Sequence, residues 1–128
     1  MKYVPFLKAK QNEIRAVSSL SSERLSEVIP FFDIPRPDKI SESKVSTAIA
    51  TAKKNINTAQ KIKPFEFYLD VFDLPSEMSI GELPLYEYVL KEFTEFSIIP
   101  VIGLDREPEH LQAVLNILCD APYISIRL

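Results

Sequence analysis

Ile29-Pro30-Phe31-Phe32 is the stretch from which the fold can be read, because the chain carries two near copies of it, Val4-Pro5-Phe6-Leu7 and Ile99-Pro100-Val101-Ile102. Each places a proline at the head of a run rich in strand-forming residues. Proline has no N–H to give to a ladder, so it is tolerated at a strand's first position and penalised in its middle. Pro64 and Pro122 precede similar runs, so five of the ten prolines mark expected strand starts.

Helical patterns fill the intervals. Asn12 to about Ser19 is short and weakly periodic. Ser41 to Lys61 is clearer, with Val45, Ile49, Ala52, Ile56 and Ala59 on one stripe and serines able to cap its start. Pro84 fits the first turn of a third helix with the stripe Leu85, Val89, Phe93 and Phe96. Pro108 does the same for a fourth, with Leu111, Val114, Leu115 and Leu118 inward. Pro35-Arg36-Pro37-Asp38 and Pro75 to Gly81 read as loops. The expected order is therefore five strands alternating with four helices.

Strands joined by helical crossovers must be parallel, which leaves a doubly wound open sheet or a barrel. Side-chain parity separates the two. One face carries Leu7 and Ala9, Phe32 and Ile34, Phe67, Leu69 and Val71, Ile102 and Leu104, and Ile124 and Ile126, all apolar. The other carries Lys8 and Lys10, Asp33, Glu66, Tyr68 and Asp70, Asp105, and Ser125 and Arg127. A flavodoxin-like doubly wound sheet buries both faces under helices, where each unpaired charge costs several kcal/mol. A barrel turns one face to a lumen, where charges pair or meet water. Parity favours a partial TIM-type (β/α) barrel, with the flavodoxin-like sheet as the alternative.

Residues 1–128 then form a single β/α domain. It is expected to be the N-terminal half of a longer barrel, since a complete one takes about 200 to 250 residues. A half barrel would expose strand edges, so self-association of the shorter chain is a further expectation.

Composition narrows the functional classes. Hydrophobic residues at 46% and charged residues at 26% are globular proportions, so disorder is not expected. The net charge of −3 argues against nucleic-acid binding through bulk positive charge, although a local basic patch is compatible with it. Cys119 is the only cysteine and lies in an apolar run, so neither an intrachain disulfide nor a cysteine zinc site can form. No window has the length of a membrane span, and a cytoplasmic location is expected.

Ligand sites of β/α folds lie at the C-terminal ends of the strands. Those ends offer Lys8, Lys10, Asp33, Asp70 and Arg127, the candidate site residues, with Asp73, Asp105 and Arg106 close by in sequence. Opposite charges on one rim can bind an anion, hold a divalent cation, or supply an acid and a base. A lumen lysine on the first strand could also form a Schiff base if desolvated. The bland alternative is that strand-end aspartates bond the next loop and lumen charges neutralise one another. The two glycines, Gly81 and Gly103, make no phosphate loop, and His110 has no second histidine or cysteine to share a metal with. No cofactor and no metal are expected. The strand aromatics Phe31, Phe32, Phe65, Phe67, Tyr68 and Phe72 read as core, since Glu66, Asp70 and Asp73 have the wrong sign for base stacking.

Tyr3-Val4-Pro5-Phe6-Leu7-Lys8-Ala9-Lys10, with Asn12-Glu13 and Val28-Ile29-Pro30-Phe31-Phe32-Asp33-Ile34-Pro35, resembles the N-terminal part of the beta protein family of phages and bacterial genomes. Phe67-Tyr68-Leu69-Asp70 and Ile99-Pro100-Val101-Ile102-Gly103 fit the same pattern. The resemblance implies a component of a mobile-element locus that restrains a killer protein and serves in defence against other phages. It brings no catalytic residues with it. The resulting expectation is a non-enzymatic, antitoxin-like interaction protein with a protein partner, a toxin of the same locus. A TIM-barrel-like enzyme or small-ligand sensor using the strand-end charges is the competing one.

Overall fold

The computed structural model describes residues 3–75, 78–103, 112 and 125–127, and strand–helix alternation runs through them. β1 (Phe6–Lys8) leads into α1 (Gln11–Ser18) and the single-turn α2 (Ser22–Leu25). β2 (Phe31–Asp33) leads into the long α3 (Glu42–Ile62), and β3 (Phe67–Asp70) into a small hairpin of β4 (Ser79–Ile80) and β5 (Leu83–Pro84) followed by α4 (Leu85–Glu92). β6 (Ile98–Gly103) and β7 (Ser125–Arg127) complete the set.

The large strands form one sheet in the order β1-β2-β3-β6-β7, with every neighbouring pair parallel. The order follows the sequence without a reversal. A flavodoxin-like sheet has a point where the strand order turns back, and none occurs among the described strands. The structure is an α/β fold with a parallel sheet.

Parity correctly assigns the helix side. Phe32, Ile34, Phe67, Leu69 and Val71 join one core with the stripes of α1, α3 and α4. All five expected stripe residues of α3 are buried, and Ser41 caps the helix by accepting a bond from the Lys44 N–H. Pro84 is the N-cap of α4 and not a first-turn residue, and Leu85, Val89 and Phe93 are buried as expected.

The opposite face needs correction, because it is not charged throughout. Its lower level is the in-register row Phe6, Phe31, Tyr68 and Ile99. The rings of Phe6 and Phe31 stack with centroids 4.5 Å apart, and those of Phe31 and Tyr68 at 5.6 Å. Phe31, Ile99 and Val101 are buried there, outside the helix-side core. The next level toward the strand ends is the charged row Lys8, Asp33 and Asp70. Phe72 also departs from expectation, since it lies in the turn after β3 and is 51% exposed.

Strand starts are met at Pro5 and Pro30, and β3 begins three residues after Pro64. Pro100 is different: β6 begins at Ile98, so the proline is the third residue of the strand. It is tolerated because pairing with β7 starts only at Val101, one residue further on. The fourth helix pattern, His110, Cys119, Asp105, Arg106 and Pro122 lie outside the described residues.

Candidate functional site

The C-terminal ends of the strands bring three of the five candidate residues into one row. Lys8 is in register with Asp33, and Asp33 with Asp70. Neighbouring strands are about 4.8 Å apart, so the three Cα positions step across the sheet at that spacing. Lys8 forms an ion pair with Asp73, which follows β3 in a tight turn. One Asp70 carboxylate oxygen accepts the N–H of Val71 at 2.8 Å. Asp70 has no exposed surface and Asp33 only 7%. Buried carboxylates need such bonds to remain tolerable, and both are engaged by further neighbours.

Lys10 is not part of this row. The Lys10 N–H bonds back to the Lys8 carbonyl at 2.7 Å, a tight turn about Ala9 that breaks strand alternation. Lys10 then becomes the N-cap position of α1 on the helix side. Arg127 is in register with Gly103 on β6, two residues beyond the Val101–Ser125 pair. Among the described residues, no three of His, Cys, Asp and Glu gather as a metal-ligand set.

The upper end of the sheet is shaped by a residue that the sequence reading does not single out. Tyr86 on α4 is buried, and its hydroxyl donates to the Leu69 carbonyl at 2.5 Å while accepting the Val101 N–H at 2.8 Å. It stands in for a direct ladder bond between β3 and β6 just past Pro100. A hydroxyl can both donate and accept, and phenylalanine cannot replace it.

A second feature lies on the outside of the molecule. A groove of about 710 Å³ opens between α1, α3 and the loop after β2. Lys10, Arg15, Arg36 and Lys54 line it, over a floor that includes Ala48 and Ala52. The signal in sequence is slight: Gln11, Arg15 and Ser18 recur at helical spacing on one flank of α1, and Lys54 and Asn55 on the outer flank of α3.

Lys53 on α3 reaches Glu92 at 3.5 Å and Glu95 at 3.3 Å. The Glu95 hydrogen bond chiefly raises its pKa above the ordinary lysine value, with partial burial opposing. The contact ties α3 to the end of α4 and takes no part in the strand-end row.

A family model described as Beta protein matches residues 3–120. The chain belongs to the Beta protein family. No curated protein and no solved structure matches it. The Beta protein match takes in every element from β1 to β6, and with them both the strand-end row and the outer groove. Among the described residues, no helix is long and apolar enough to cross a membrane.

Proposed function

We propose that the protein acts by binding another protein, as the wall of a (β/α) barrel, and not by turning over a substrate at the strand ends. The observation that supports this is the state of the strand-end charges. Asp70 is fully buried and Lys8 is ion-paired with Asp73. A catalytic acid or base has to touch its substrate, and these groups are committed to their own chain.

The barrel reading draws on the sequential parallel order and on the packing of the described helices in one core with one face of the sheet. In a barrel the opposite face fills the lumen in layers. Here one layer would be aromatic, with Phe6, Phe31 and Tyr68, and the next polar, with Lys8, Asp33 and Asp70. Phe6 is 65% exposed at the open edge of β1, where a further strand would cover it. In keeping with the resemblance, the proposed partner is a toxin of the same locus, within a cytoplasmic phage-defence or toxin-restraining module. No cofactor is invoked.

One observation favours the enzyme or ligand-sensor reading, namely that Lys8, Asp33 and Asp70 share a row at the end where β/α folds bind ligands. The double variant Asp33→Asn/Asp70→Asn separates the two readings, because asparagine keeps the shape and an acceptor oxygen but not the carboxylate. Produced together with the proposed toxin partner, the folded double variant is expected to restrain toxicity as much as the unsubstituted protein. Loss of restraint with an unchanged melting curve contradicts the binding reading. Lys8→Gln, at a partly exposed position, gives the same comparison if the double variant does not fold.

A further inference from the structure

We propose that the groove between α1 and α3 seats an acidic, extended segment of the partner protein. The inference rests on the binding reading above and names the surface and the chemistry of what it binds.

Charge is the first support. In a chain of net charge −3, Lys10, Arg15, Arg36 and Lys54 all line one groove, and no aspartate or glutamate does. Among the described residues none of the four is ion-paired, whereas Lys8, Lys53 and Lys91 all are. Four like charges set side by side without a counter-charge attract an anion.

Shape is the second. Ala48 and Ala52 leave the α3 wall without bulk, so a backbone can lie close to it. The α3 residues of the groove run from Ala48 to Ile62, about 21 Å of helix at 1.5 Å per residue. That length matches about six residues of extended chain. The groove is therefore sized for a short peptide.

Nucleic acid fits less well. No aromatic side chain lines the groove, so bases have nothing to stack on. A long polyanion would also meet an otherwise acidic chain.

The test uses fluorescein-labelled hexaglutamate and, separately, labelled hexathymidylate, read by fluorescence anisotropy at low and moderate salt. Hexaglutamate is expected to bind, more weakly as salt rises. Arg15→Glu/Lys54→Glu is expected to weaken it about tenfold, each reversal removing one attraction and adding one repulsion. Lys44→Glu, on α3 but outside the groove, is expected to leave it unchanged. Arg36→Gln with Lys10→Gln replaces the reversal pair if that pair does not fold. Absent binding, or equal effects of the groove and Lys44 variants, overturns the proposal. So does tighter binding of hexathymidylate through the same residues. A negative peptide result with toxin restraint intact in Asp33→Asn/Asp70→Asn removes the groove and leaves the binding reading standing. Loss of restraint in that double variant removes the binding reading itself.

Discussion

Tyr86 shows how much one atom contributes at the residue scale. Its hydroxyl holds the Leu69 carbonyl and the Val101 N–H where β3 and β6 part. Tyr86→Phe keeps the buried ring and removes both bonds, with an expected loss of about 1–3 kcal/mol in urea denaturation. A loss near zero would mean the strands close over the gap. Nothing in the sequence marks this role, because a tyrosine next to the helix stripe looks like any other packed ring. Lys8 and Lys10 teach a related lesson. Two residues apart on a strand they should share a face, but the turn about Ala9 sends Lys10 outward. Alternation fails where a strand ends, and a strand's last residue is poorly marked in sequence.

At the element scale, legibility follows length. The five-residue stripe of α3 could be read because it repeats over about four turns, and each of its members is buried. The four-residue α2 and the two-residue strands of the β4–β5 hairpin carry no periodicity to read. The hairpin instead depends on Gly81, whose positive φ of 61° suits its turn. Its N–H bonds the Glu42 carboxylate at 2.8 Å, fastening the hairpin to the start of α3. The exit of α3 is held by Gln60, whose amide accepts the Phe65 N–H at 3.0 Å and donates to the Phe65 carbonyl at 2.7 Å. That two-pronged contact takes the place of a strand partner just before β3. Gln60→Ala is expected to cost about 2 kcal/mol, two bonds at about 1 kcal/mol each. Chemical denaturation checks the figure, and an unchanged midpoint would show that water replaces the clamp.

At the scale of the whole molecule, proline placement and parity made the α/β class and the parallel sheet legible, because both follow from backbone geometry. Pro100 shows the limit: a proline reports a missing bond on one strand edge, and here that edge lies inside β6. The strand-end row was legible as residue types but not as a set of committed partners, since ion pairing such as Lys8 with Asp73 depends on turns that sequence does not specify. Sequential strand order is the feature that supports the proposed barrel wall over an open sheet. The decisive measurement is a crystal structure of the whole gene product. A further parallel strand is expected on the edge of β1 away from β2, covering Phe6, with Lys8 still paired to Asp73 and Asp33 and Asp70 still buried. A bare β1 edge, or a ligand-sized cavity of about 300 Å³ or more opening onto Asp33 and Asp70, would contradict a barrel wall that binds from its outer face.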